Sequence, residues 1–187
     1  MLSISSTAYT SSKEQNPAFI VAQIVLSSLF IALCAQISIH LPFTPVPMTM
    51  QTLAVMMVGG ILGSRNGAIS VILYLVESMA GLPVLAGGAI NPLALIGPTG
   101  GYLIGFVFQA YLVGWFAERL TVLGKASLMM GISLAYAMEL LFGALWLAQF
   151  VGFKYMFMMG VIPFIPGAIV KILVVVNFLT RNEISTK

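Results

Sequence analysis

The chain has 187 residues, 60% of them hydrophobic and only 7% charged, with a formal net charge of +3. Soluble domains run near 25% charged, so a chain of this composition predicts an integral membrane protein whose solvent is lipid. Aspartate is absent, and the bases are scattered singly instead of forming a stripe, which argues against nucleic acid as a partner. A lone cysteine, Cys34, excludes an internal disulfide and reads as a small buried side chain in an apolar run. With one histidine, no HExxH and no cysteine pair, nothing points to a metal or redox centre. Neither Gly-x-Ser-x-Gly nor the phosphate-cradling G-x-x-x-x-G-K-[ST] occurs, so no catalytic residue is assigned and no cofactor is implied. Active transport by such a chain has to draw its energy from a partner or an ion gradient.

The first 17 residues are polar and Ser/Thr-rich, and read as a cytoplasmic tail ahead of a single membrane domain, residues 18–187. The apolar run from Ala18 is longer than a signal-peptide core, which predicts a retained helix. About 20 apolar residues span the hydrocarbon. Helix 1 is placed at 18–39, before Pro42, Pro45 and Pro47 break the chain. A short helix 2 is placed at 48–62, a turn at 63–67 and helix 3 at 68–79. A Gly/Pro-rich stretch covers 81–101. Helices 4, 5 and 6 are placed at 102–117, 127–151 and 160–180. The expectation is an all-α fold with six transmembrane helices and irregular outer loops covering a ligand pocket.

Orientation follows from the bases. With the N-terminus inside, the cytoplasmic segments carry Lys13, Arg65, Arg119, Lys125, Arg181 and Lys187, against Lys154 alone outside. That asymmetry predicts a multi-pass protein of the cell membrane with both termini cytoplasmic. Three irregular apolar segments, 41–47, 82–88 and 96–101, then fall in the outer half. Non-helical backbone at membrane depth persists only where protein buries it or where it lines a cavity. Together these segments read as the roof of an outward pocket, the alternative being tight connections and nothing more.

Charges inside apolar helices are costly and mark sites or pairs. Lys171 lies midway along helix 6, as a ligand donor or as a partner for Glu139 on helix 5. Glu139 divides in the same way between structure and ligand. Glu77, near the outer end of helix 3, either serves the site or reaches the aqueous boundary.

The segment Leu41-Pro-Phe-Thr-Pro-Val-Pro-Met-Thr-Met-Gln-Thr-Leu-Ala-Val55 resembles the signature of the BioY family, the biotin-specific S components of energy-coupling factor (ECF) transporters. Residues 81–88 and 97–106 resemble it again, in order, and so does Pro163-Phe-Ile-Pro-Gly167 followed by Lys171. The resemblance implies a high-affinity biotin-binding and translocating subunit with biotin as the transported ligand. It also implies a coupling transmembrane subunit and a pair of ABC-type ATPases as partners. Candidate substrate contacts are Lys171, Glu139, Glu77, Gln51, Tyr102, Thr44, Gly87, Gly88, Asn91, Gly100 and position 168. In the family, small residues on helix 1 slide against the coupling subunit. Here Ser28 and Ala32, or Ala18 and Ala22, have the spacing for that face. One departure stands out. The family pattern near the end reads Pro-Gly-Asp-x-x-Lys, whereas this chain has Ala168. The aspartate and the lysine share a helix face, so with alanine either binding is weakened, or another acceptor serves, or the chain is an engineered variant. The alternatives to a biotin S component are an S component for another vitamin, a membrane-embedded lipid enzyme, and a stand-alone carrier.

Overall fold

The computed structural model describes residues 16–185. Most of the expected N-terminal tail, including Lys13, lies outside the described residues, as does Lys187.

Helix α1, Pro17–Gln36, begins where Asn16 caps it: the Asn16 Oδ1 accepts from the Ala18 N–H at 3.1 Å, and Pro17 supplies a φ already suited to a first turn. It stops short of the expected residue 39. The chain instead forms a two-strand hairpin, β1 (Ser38–Ile39) against β2 (Met48–Thr49), antiparallel with Ser38 opposite Thr49. The proline-rich segment is the loop of this hairpin. α1 buries only Ser28, Ile31, Ala32 and Ala35, and leaves a broad apolar face outward, as lipid permits.

The expected helices 2 and 3 are the two segments of α2, Gln51–Met79, joined at Gly63. The turn expected over residues 63–67 is confined to Gly63, which alone leaves helical geometry, at φ 81° and ψ 177°. That left-handed value is open to glycine and strained for a residue with a Cβ. The direction of the chain nevertheless reverses there. A Cβ on Gly67 would lie 2.7 Å from the Cα of Gly59, and Gln51 and Tyr74 are hydrogen-bonded to each other. A straight helix would hold those two residues about 34 Å apart. Residues 51–62 and 64–79 are thus the arms of a helical hairpin.

Helix α3, Gly100–Ala117, packs along α2, and α4, Leu120–Val151, packs along α3. α4 is broken at Gly124 (φ 78°), so its long segment begins two residues before the expected 127, with a short turn from Leu120 ahead of it. The α3–α4 seam sets aromatic rings against glycines: Tyr102 over Gly143, and Phe116 over Gly131. After a short α5, Met156–Gly160, and a 3₁₀ turn at Ile162–Phe164, helix α6 runs Ile165–Ser185. Among the described residues five helices, not six, are long and apolar enough to cross a membrane. The hydrophobic core lies in two parts, one between α1, α2 and α3 and one between α3, α4 and α6.

Candidate functional site

The irregular connections gather at one end of the bundle. Next to them lies a small cavity of about 50 Å³ that opens at that end. Its apolar wall includes Val46, Leu103, Phe106, Leu140 and Phe164. Four residues singled out from the sequence line it: Gln51, Tyr102, Glu139 and Lys171.

Lys171 reaches across from α6 to the start of α2. Its Nζ donates to the Thr49 carbonyl and to the Thr52 Oγ1, both at 2.6 Å. An ammonium has three donors, so one N–H is left over. Glu139, on α4, is 2% exposed, and its Oε2 has no hydrogen-bond partner. The two charges do not pair: among the described residues the ion pair formed is Arg119 with Glu118, at 3.7 Å. Gln51 is held by a chain of bonds. Its amide group donates to the Tyr74 hydroxyl, and its Oε1 accepts from the Thr49 Oγ1 at 3.0 Å. Tyr102 donates its hydroxyl proton to the Gly160 carbonyl at 2.7 Å, which pins the α5–α6 connection beside the cavity.

The other candidates lie elsewhere. Thr44 is buried but directed away from the cavity, its hydroxyl donating to the Met159 carbonyl at 2.8 Å. This bond ties the proline-rich loop to α5. Gly87 and Gly88 adopt φ 65° and 76° and sit against Ser38 and Gln36, so they shape the loop over the end of α1. Asn91 is exposed, with its Oδ1 accepting from the Leu93 N–H in a local turn. Gly100 is packed on the Leu95 carbonyl, where a Cβ would stand 1.9 Å from the oxygen. Ala168 is buried in the apolar cluster with Val46 and Phe164 and does not line the cavity. Glu77 faces α1: its Oε1 accepts from Ser28 at 2.8 Å and its Oε2 is unpartnered. Ser28 and Ala32, expected to face a partner subunit, therefore face inward, with Ser28 fully buried. α2 already occupies that side of α1. Ala18 and Ala22 are exposed.

Sequence reasoning missed Thr52, Tyr136 and Thr49. Tyr136 had a signal, since it stands one turn from Glu139 on the same face and lines the same cavity. Thr49 and Thr52 flank Gln51 inside the recognised motif.

A bundle of long apolar helices with a buried ammonium and an unpaired carboxylate in one cavity defines a multi-pass membrane protein built to hold a small polar ligand. A family model, that of the BioY family, matches residues 8–185. The chain is similar to the biotin transporter BioY of Rhizobium etli, 37% identical over 163 residues that make up 81% of this chain and 87% of that protein. It is also similar to the probable biotin transporter BioY of Pyrococcus horikoshii, 36% identical over 88% of this chain and 98% of that one. Among solved structures it resembles the S-component for biotin from an ECF-type ABC transporter. The TM-score is 0.81 and the identity 28%, over 91% of this chain and 95% of that one. The chain belongs to the BioY family, a family of transport proteins and not of enzymes.

Proposed function

We propose that this chain is the biotin-capturing subunit of an energy-coupling factor importer. It crosses the cell membrane six times, the arms of α2 counting separately, with both termini cytoplasmic and the cavity outward. A coupling transmembrane subunit and ABC-type ATPases supply the energy that the chain has no motif to harvest. Residues 18–187 are its single membrane domain, with the tail before it on the cytoplasmic side.

The observation that carries this reading is that a spare Lys171 N–H and an unpartnered Glu139 oxygen, not bonded to each other, belong to one cavity. Biotin offers matching chemistry: ureido N–H donors, a ureido carbonyl, a carboxylate, and an apolar thioether ring for the aromatic and aliphatic wall. A buried polar group left unmatched costs about 1–3 kcal/mol, so a ligand supplying both a donor and an acceptor is strongly favoured over an apolar one. In this chain Glu139 takes the acidic role that position 168 has given up. The relatives' names and the biotin S-component's shape support the same ligand.

Equilibrium binding of radiolabelled biotin to the purified chain, with competition by other vitamins, tests the ligand. Displacement by unlabelled biotin alone is the expected result. Displacement by a different vitamin would move the chain to another specificity. Uptake measured with and without the ATPases separates the subunit from a stand-alone carrier, the expected result being a strong dependence on them.

A further inference from the structure

Tyr74 is fully buried, does not line the cavity, and lies 23 residues from Gln51 in sequence, yet it is bonded to that residue's amide. Its hydroxyl donates to the Val84 carbonyl at 3.0 Å. A carbonyl only accepts, so the single phenolic proton is committed to Val84. Toward Gln51 the Tyr74 oxygen can therefore only accept, and the NH₂ of the amide must face it. At the other end the Thr49 hydroxyl donates to Gln51 Oε1. The orientation of the Gln51 amide is thus fixed by proton accounting as well as by shape. One N–H and one oxygen lone pair remain free on a residue that lines the cavity.

We propose that Tyr74 is a positioning residue for the ligand: it locks the Gln51 amide so that a donor and an acceptor are presented in fixed places, and it ties that arrangement to the 82–88 loop through Val84. The inference rests on the biotin-capture reading and deepens it. Without the phenolic oxygen the amide can turn over, offering its donor where the ligand needs an acceptor. The Val84 carbonyl loses its partner at the same time, so the loop loosens together with the site. Nothing in the local sequence marks Tyr74 for this role, because it depends on α2 reversing at Gly63 to bring residues 51 and 74 together.

The test is a double-mutant cycle on the full chain, read by biotin dissociation constants. Tyr74→Phe keeps the ring and deletes only the hydroxyl, and is expected to weaken binding about tenfold, the worth of one buried hydrogen bond. Gln51→Leu is expected to weaken it by at least as much. If Tyr74 acts through Gln51, adding Tyr74→Phe to Gln51→Leu changes binding by less than about twofold, because coupled residues do not add. A merely structural Tyr74 gives a different pattern, effects on affinity that multiply in the double variant, and that result overturns the proposal. So does a folded Tyr74→Phe protein that binds as the parent does. Should Tyr74→Phe fail to purify as a folded protein, Tyr74→Met, which fills the space without a hydroxyl, is read in the same way in isolated membranes. A parent chain that binds no biotin would sink the functional reading and the relay together. A binding parent with an unchanged Tyr74 variant sinks only the relay.

Discussion

Glu118 and Glu139 are carboxylates held in the same bundle, and the fold treats them in opposite ways. Glu118 stands just past the end of α3 that is far from the cavity. Its Oε1 accepts from the Ser64 N–H at 2.6 Å and from the Ser64 Oγ at 2.9 Å, and its Oε2 lies near Arg119. The Ser64 N–H belongs to the first residue after the Gly63 break, where a helix start has N–H groups to satisfy and favours negative charge. Glu118 thus completes the hairpin turn. Glu139 is more deeply buried, faces a cavity, and is left with an oxygen that nothing in the described protein satisfies. The fold satisfies the acid at the hairpin turn and leaves an oxygen of the acid at the cavity unmatched, which under the proposed function is the ligand's to complete.

The same contrast separates the two ends of the molecule. Around Gly63 and Glu118 the chain turns tightly, with a Cβ on Gly114 excluded by the Ser64 N at 2.4 Å. At the cavity end the β1–β2 hairpin, the 82–88 loop and the α5–α6 connection are irregular; Thr44 ties the hairpin loop to α5, and Tyr102 ties α3 to the α5–α6 connection.

The largest effect that would break this comparison is expected at Lys171. Lys171→Met should weaken biotin binding by about 2–5 kcal/mol, because it removes the ammonium and strands its partners. Calorimetry in detergent checks it, and normal affinity would make the lysine structural. The two glutamates come next and should diverge. Glu139→Gln should cost biotin affinity about tenfold to a hundredfold. Its melting temperature should hold or rise, since an unpaired buried carboxylate is removed. Glu118→Gln should do the reverse, losing about 1–3 kcal/mol of stability with little change in affinity. Thermal unfolding and binding on both variants decide between these patterns.

A smaller effect concerns α1. Bulky residues at the exposed Ala18 and Ala22 should reduce co-purification with the coupling subunit while leaving biotin binding intact, since small residues allow close helix approach. Ser28→Leu should instead destabilise the chain, because it buries bulk against Glu77 and removes that acid's hydrogen-bond donor. Co-purification and unfolding on the same variants sharpen which face of α1 is free. The smallest effect is expected for Ala168→Asp. The position lies in an apolar cluster and Glu139 already provides a carboxylate, so the gain should be near 1 kcal/mol at most, roughly fivefold in dissociation constant. Unchanged or lower affinity, read by calorimetry, would assign the acceptor role to Glu139 alone.

What could be read from the sequence follows from what a sequence makes costly. Lys171 and Glu139 declared themselves because a charge among Ile, Val and Leu needs a reason in a membrane. Gln51 and Tyr102 were reached through their motifs. Helix α3 was placed within two residues because its apolar run is bounded by Pro98 and by Glu118-Arg119. The hairpin of β1 and β2 is not legible, since two-residue strands leave no periodic pattern and depend on pairing across eight intervening residues. The inward turn of Ser28 was hidden because small residues at helical spacing suit any close neighbour, and spacing does not say whether that neighbour is α2 or another subunit. Thr52 and Tyr136 are ordinary helix residues until packing aims them at the cavity.

The central claim is that Lys171 and Glu139 are left incompletely satisfied by the fold so that biotin can complete them. A structure of the purified chain grown with biotin tests this most directly. The account predicts biotin in the cavity beside Gln51 and Tyr102, with one polar atom within hydrogen-bond reach of the Lys171 Nζ and an N–H donating to the Glu139 carboxylate. Biotin bound elsewhere, or bound in the cavity with Glu139 still unpartnered, would contradict it.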